Sequence, residues 1–181
     1  MTTEELRRYL GYPSFDAEQA ARAQMLLDDA QALIEGPRGA GQKLELSTDT
    51  VTLDGTGTDR LLLPRWPVTA MVSVTVTEDD ETVQVLVDEV DYTWSAAGIL
   101  TRVGGLWPRE PRSVAVVYTP GYSTMPSNIK RICRRLAASA WRNTAGATVQ
   151  EIGDSRVRWA APGGELTTGE LEELAAYRAR P

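Results

Sequence analysis

Carboxylates are the side chains best placed to do chemistry in this sequence, because histidine is absent. Without histidine there is no Ser-His-Asp or Cys-His nucleophile and no His-ligated metal site. Acidic residues cluster at 79–81 and again at 88–91. Paired carboxylates can act as acid and base when burial separates their pKa values, and their oxygens also suit calcium. Both clusters fall in predicted turns, where solvated carboxylates are usual, so we expect neither a catalytic residue nor a metal site.

The cysteine and glycine content excludes further kinds of site. The one cysteine, Cys133, cannot form an intramolecular disulfide or a cysteine-only zinc site, which suits a reducing compartment. Gly104-Gly105 and Gly163-Gly164 lack the surrounding residues of a phosphate-binding loop. The sequence therefore predicts a protein that is not an enzyme and that binds no cofactor.

A basic helix face is the main candidate for binding. Its members, which share a predicted helix over 128–143, are Lys130, Arg131, Arg134, Arg135 and Arg142. Such a face could contact phosphates, or it could be solvated and paired with acidic residues at Asp28, Asp29, Glu35 and 170–173. It could also meet an acidic face of another copy, as an inter-subunit basic face. The net charge of -6 argues against nucleic-acid binding, since strong binding of that kind needs a cationic surface.

Tryptophans supply candidate anchors. Trp66 and Trp107 each precede a proline in a predicted loop, where a large ring is either a plug on the end of a sheet or an interface anchor. Trp141 lies on the apolar face of the basic helix and is predicted to be in the core. Trp159, in a stretch with weak local structure, is predicted to lie at an interface.

The spacing of apolar residues changes along the chain and predicts the helices and strands that position these side chains. Residues 2–35 have helical spacing, with capping boxes at Thr2 and Asp16. Residues 44–119 alternate as short β-branched strands, which predicts an antiparallel sandwich or small barrel. Helical spacing returns with Ser127 as N-cap, and Thr168 is predicted to cap a last helix.

The fold class predicted is α+β, a helical bundle with an inserted antiparallel β region. The regions are 1–43 for N-terminal helices, 44–119 for the β region, and 120–181 for C-terminal helices and a docking segment, all in one continuous unit. No targeting or membrane segment is expected, since the N-terminus is acidic and apolar runs are short.

A series of short motifs, spread over most of the chain, carries a resemblance to a known family. They are Leu10-Gly11, the helix through Leu26, Leu27 and Ile34, Leu63-Pro64-Arg65-Trp66-Pro67-Val68, Asp91-Tyr92-Thr93-Trp94, Gly98-Ile99-Leu100, Leu106-Trp107-Pro108, Val116-Val117-Tyr118-Thr119-Pro120-Gly121-Tyr122, Met125-Pro126, Leu136-Ala137-Ala138, Ile152-Gly153-Asp154-Ser155-Arg156-Val157, and Leu166-Thr167 before Leu174 and Tyr177-Arg178. In this order and spacing the chain resembles the tailed-bacteriophage head–tail connector family, the head-to-tail adaptor or head-completion proteins. Its β region is larger than in the mostly helical members.

The resemblance implies a structural protein of the virion neck, made in the host cytoplasm. Such proteins form a homo-oligomeric ring, usually of twelve copies, between the portal of a filled capsid and the head-closure or tail-completion protein, and the packaged genomic DNA passes through the channel on ejection without specific binding. By analogy, portal docking is expected in the C-terminal part. The residues expected there are Trp159, Arg156, Arg158, Leu166, Leu174 and Tyr177.

Other functions stay open at this point. A head-closure or tail-end ring protein one layer further down belongs to the same class of particle. A nucleic-acid-binding module would use the basic helix, and a carboxylate-dependent hydrolase would need Asp80 or Asp88. The sequence predicts no membrane partner.

Overall fold

The computed structural model describes residues 1–77, 82–143, 149–152, 155–158 and 165–179, and gives the backbone alone for the two stretches 149–152 and 155–158. The chain divides into two compact units. A helical unit joins Met1–Gln42 to Met125–Arg178, and a β unit is built on Lys43–Thr124. The predicted α+β class, with helices at both ends of the chain and a β region between them, is confirmed.

Four helices lie within the described residues. They are α1 Thr3–Leu10, α2 Ala17–Glu35, α3 Ser127–Arg142 and α4 Thr168–Ala175. Both predicted N-terminal capping boxes are present, because Thr2 and Glu5 exchange side-chain to backbone hydrogen bonds, as do Asp16 and Gln19. None of the described helices has the length and apolar character that a membrane-spanning segment requires.

The caps of α3 and α4 differ from the prediction by one residue. Ser127 is the first residue of α3, and Pro126 occupies the N-cap position without a side-chain hydrogen bond. Thr167, rather than Thr168, caps α4, and Glu170 completes a capping box with it. The reason is spacing: the reciprocal carboxylate must stand three residues after the cap, and Glu170 does so for Thr167.

The core of the helical unit lies between α2 and α3. Small residues on α2, among them Ala23 and Ala30, are fully buried and let the two helices approach closely. From α3, the buried face carries Ile132, Leu136 and Ala137. These are the positions that 3.6-residue periodicity indicates.

Strands of the β unit form two antiparallel sheets. The first has the order β1-β7-β3-β4, with β1 Asp49–Leu53, β7 Val114–Pro120, β3 Val68–Thr77 and β4 Val83–Leu86. The second has the order β2-β6-β5, with β2 Arg60–Leu62, β6 Ile99–Arg102 and β5 Tyr92–Trp94. In the helical unit, β8 Val149–Ile152 and β9 Ser155–Arg158 form a separate antiparallel hairpin.

The two sheets of the β unit share one hydrophobic core. Val74, Val116 and Tyr118 from the first sheet are fully buried in the same cluster as Leu100 from the second. Trp107, from the loop before β7, fills this cluster as well. Two sheets packed through their inner faces form a sandwich.

A bulge in β3 changes which valines face inward. The alternation predicted for this region places Val72, Val74 and Val76 on one face, but Val72 is exposed while Val74 and Val76 are buried. The pairing of β3 with β7 shifts register between Met71 and Ser73, and the extra residue at a bulge reverses the alternation beyond it. Val72 therefore points away from the core.

Candidate interaction surfaces

The carboxylates that follow β4 build a turn. Asp88 accepts hydrogen bonds from Trp94 Nε1 at 3.1 Å and from the Glu89 amide at 3.0 Å, and Asp91 accepts one from the Val87 amide at 2.8 Å. These contacts are those of a structural turn. Among the described residues, no group of three or more His, Cys, Asp or Glu could hold a metal ion. The acidic residues 79–81 lie outside the described part of the chain.

Cys133 belongs to the core of the helical unit. Its Sγ lies 4.0 Å from the Leu27 carbonyl oxygen, and the side chain is buried. Burial raises the pKa of this thiol, with carboxylates at Glu35 and Asp28 acting in the same direction. A thiol held in the protonated form is a poor nucleophile, so Cys133 packs as a small apolar residue.

The predicted basic face of α3 is partly neutralised by α4. Arg131 forms an ion pair with Glu173 at 2.5 Å, and Arg135 forms one with Glu170 at 2.5 Å. Arg134 lies over the ring of Tyr9, 4.8 Å from its centroid. Arg142 is exposed, and Lys130 is half-buried. Two of the five predicted cations therefore pair with acidic residues of α4. Pairing with residues 170–173 was one of the three alternatives that the sequence left open for this face.

Glu170 is the link between α3 and α4. Its side chain is 6% exposed, and its two oxygens accept hydrogen bonds from Arg135 Nε at 2.5 Å and Nη2 at 2.7 Å. Oε2 also accepts hydrogen bonds from the Thr167 amide and hydroxyl. A buried carboxylate with several charge-assisted hydrogen bonds fixes its neighbours in one geometry, so α4 is held firmly against α3.

The end of the chain is tied to the same unit. The Tyr177 hydroxyl donates to Asn128 Oδ1 at 3.0 Å, and Gln42 Nε2 donates to the Tyr177 carbonyl at 2.7 Å. Leu174 is fully buried, so its side chain packs inside the unit and has no free surface for a partner. Tyr177 is half-buried, and its interface role stays a prediction.

Acid is expected to loosen α4. Burial raises the pKa of Glu170, but hydrogen bonds from Arg135 and Thr167 outweigh burial, so the pKa lies below the ordinary value of 4.5. A carboxyl with a lowered folded-state pKa contributes stability above its unfolded value, and that contribution is lost as pH falls through the folded value. We expect hydrogen-exchange protection factors of α4 amides to fall as pH drops below 4.5. A Glu170→Gln variant should lack this pH dependence, and constant protection in the wild type would contradict the prediction.

A groove lies beside α4 on the helical unit. It has a volume of about 650 Å³, and its lining residues are Leu33, Pro37, Arg38, Glu165, Leu166, Leu171 and Arg178. Of the residues predicted for docking, Leu166 lines this groove. The sequence did not single out Leu33, although it is exposed and lies one position before the buried Ile34, off the core stripe. An exposed leucine beside a predicted core position was the available signal.

The predicted tryptophan anchors have different environments. Trp107 is fully buried, which makes it a plug on the sheet end, while Trp66 is half-buried. Trp141 is half-buried rather than in the core: its ring stacks on Phe15 at 5.1 Å, and the Arg22 guanidinium lies 4.7 Å from its centroid. Trp159 lies outside the described residues, and for Arg156 and Arg158 only the backbone is described.

The β unit carries most of the chain's charge imbalance. Residues 43–124 contain twelve Asp or Glu and six Lys or Arg, so their net charge equals the -6 of the whole chain. Between Val72 and Trp94 there are seven carboxylates and no cation. The same stretch exposes five valines: Val72, Val83, Val85, Val87 and Val90. Exposed valines in an acidic stretch of sequence mark this part of the β unit as a candidate interface.

Comparisons with known proteins identify relatives of the fold. No family model matches the sequence, and no curated protein matches it. Among solved structures, a chain from the neck of an empty gene transfer agent particle, computed with C6 symmetry, has a TM-score of 0.66 at 18% identity. The match covers 100% of this chain and 90% of that one.

Two further structures come from the same kind of particle. A chain from the virion of the native gene transfer agent has a TM-score of 0.65 at 18% identity, covering 100% of this chain and 90% of that one. A chain from the neck of the native particle, computed with C12 symmetry, has a TM-score of 0.61 at 19% identity, covering 99% and 88%. The chain therefore shares its fold, over its whole length, with neck chains of phage-like particles.

Proposed function

We propose that this chain is a structural component of a virion neck, a head-to-tail adaptor that forms a ring, of about twelve copies, between the portal and the head-closure or tail-completion protein. The observation that carries the proposal is the full-length fold match to neck chains, which includes both the helical and the β unit. A match of both units is more specific than a match of either alone, because small helical bundles and small sandwiches recur in many unrelated proteins.

The distribution of charge supports a ring. Copies in a ring meet through two different surfaces, since each contact is heterologous and closes by rotation. The chain has a carboxylate-rich β unit, while the Lys, Arg, Asp and Glu outside it balance in number. Arg142 is an exposed cation of the helical unit, whereas the exposed Arg8 on α1 forms an ion pair with Glu4 at 2.9 Å. Opposite charges on two surfaces of one chain favour association between copies in a fixed orientation.

The same distribution suits a channel for DNA. Binding of DNA without sequence preference depends on cations that neutralise phosphates. Two of the five arginine or lysine residues on α3 are engaged by Glu170 and Glu173, which lowers the charge available to phosphates. A conduit of this kind lets the genome pass during ejection without retaining it, whereas a nucleic-acid-binding module would need the face to be open.

Deletion of the gene tests this function in the particle. We expect the deletion to leave heads and tails unjoined in electron micrographs, because the platform between them is missing. A plasmid-borne copy should restore joined particles, which controls for effects on neighbouring genes. Normal tailed particles from the deletion strain would contradict the proposal.

A further inference from the structure

Strand β4 lies at the edge of its sheet, where another strand can pair with it. It is the last strand of the order β1-β7-β3-β4, and among the described residues no strand pairs with its outer side. At such an edge, alternate residues direct their N–H and C=O groups away from the sheet. The side chains Val83 and Val85 are 62% and 65% exposed. This outer side of β4, with Val83 and Val85, is the valine edge.

Strand β4 itself carries none of the residues that usually prevent edge pairing. Natural edge strands are protected by lysine, proline, bulges or a covering loop. The sequence of β4, Val83-Gln84-Val85-Leu86, contains no lysine or proline, and its pairing with β3 has no bulge. An exposed β-branched edge that is left unprotected is suited to adding a strand from another chain.

The charge around the valine edge defines what kind of strand fits it. The exposed residues Asp88 and Glu89 follow β4 directly, within a stretch that has seven carboxylates and no cation. A complementary strand must therefore combine β-branched residues with arginine or lysine. An acidic strand would be repelled, since like charges placed opposite each other across strands are destabilising.

Strand β9 of this same sequence has that composition. Ser155-Arg156-Val157-Arg158 supplies two arginines and a valine and has no carboxylate. β9 and β4 each contain four residues, so their lengths match. β9 pairs only with β8 in a two-stranded sheet within the described residues, and an isolated two-stranded hairpin is marginally stable in water. The hairpin thus gains stability from a third strand.

We propose that β9 of one copy adds to the valine edge of β4 in a neighbouring copy. Within one chain the two strands belong to separate sheets, so the partner is a second copy. The contact joins two different surfaces, and repetition of such a contact closes a ring when the rotation between copies is a whole fraction of a turn. The inference rests on the proposed function, because it supplies the inter-subunit contact of the neck ring.

A double variant, Val83→Lys with Val85→Lys, tests the strand addition. Both side chains are largely exposed, so the β unit should keep its fold, which circular dichroism checks. Lysine at the edge adds two cations next to a strand whose sequence carries two arginines. We expect self-association, measured by sedimentation, to weaken roughly tenfold or more. Mass photometry should show correspondingly fewer copies bound to the portal.

Charge exchange distinguishes strand pairing from a general effect of added lysine. Arg156→Glu with Arg158→Glu should weaken assembly as well, and combination with the two lysines should restore it. Leu106→Lys is the matched control, because Leu106 is 63% exposed in the same unit and lies off the valine edge. This control should assemble like the wild type.

The outcomes separate the inference from the proposed function. If the wild type gathers on the portal and the double-lysine variant does so equally well, the strand addition is overturned and the adaptor function stands. Failure of the charge exchange to restore assembly would also overturn the strand addition. A wild-type chain that stays monomeric both alone and with the portal would contradict the adaptor function itself.

Discussion

A Trp107→Ala variant is expected to lose about 3–5 kcal/mol of unfolding free energy, the cost usual for removing a buried tryptophan. Trp107 is 1% exposed and packs in the core shared by the two sheets. Its Nε1 donates to the Asp59 carbonyl at 3.2 Å, and its amide donates to the Thr58 carbonyl at 2.8 Å. The alanine variant leaves a cavity and removes the indole hydrogen bond, so a large part of the stability of a small domain is lost.

Urea denaturation followed by circular dichroism measures this loss. The control is Leu106→Ala, one residue earlier, which removes an exposed side chain and should change stability by less than about 0.5 kcal/mol. A loss below about 1 kcal/mol for Trp107→Ala would show that the ring is not the plug of this core.

An Arg135→Ala variant is expected to release α4 from α3 at a cost of about 2–3 kcal/mol. The change leaves the carboxylate of Glu170 nearly buried without its cation and removes the hydrogen bond to the Glu165 carbonyl at 2.8 Å. This cost is lower than that of breaking a fully buried pair because the Arg135 side chain is 34% exposed and water partly screens its charge. Hydrogen exchange of α4 amides measures the local free energy of opening.

Arg131→Ala is the matched control for this pair. Arg131 also contacts α4, through Glu173, but the two side chains are 53% and 40% exposed. Exposed ion pairs contribute at most about 1 kcal/mol, so the control should leave α4 protected. Equal losses in the two variants would mean that burial of Glu170 does not determine how α4 is held.

Local features of the fold could be predicted from the sequence. In the capping boxes at Thr2 and Asp16, the two partners lie three residues apart. The apolar residues of α2 and α3 recur on one helix face, so both patterns can be recognised from nearby residues. The turn of Val72 away from the core could not be predicted, because the bulge arises from the pairing of β3 with β7, forty or more positions away. The order of the strands could not be predicted either, because it also depends on pairing between distant segments.

Long-range polar contacts were the main omission. Arg65 appeared in the sequence only as part of a motif, yet its guanidinium forms an ion pair with Asp49 at 2.6 Å and donates to the carbonyls of Lys43 and Glu45. These partners are 16 to 22 residues distant, and no local pattern marks them. The acidic residues 170–173 were recognised as possible partners of the α3 face, but the assignment of Glu170 to Arg135 needed the fold.

The candidate surfaces were predicted in part. Residue types marked the basic face beforehand, because charge can be read position by position, whereas Leu166 was expected at an interface only from the resemblance to the connector family. The groove that contains Leu166, and the exposure of Val83 and Val85 on an edge strand, depend on which elements become neighbours. Largely exposed valines in an alternating run cannot be distinguished by sequence from half-buried ones.

Mass photometry of the portal protein of the same particle, with and without this chain, tests the adaptor function most directly. Twelve copies of 19.8 kDa would add about 238 kDa to the portal, a shift too large for stray binding. We predict one heavier species of that mass, which also gives the number of copies. An unchanged portal mass, with both proteins folded, would contradict the adaptor function and direct the search to a ring further down the neck.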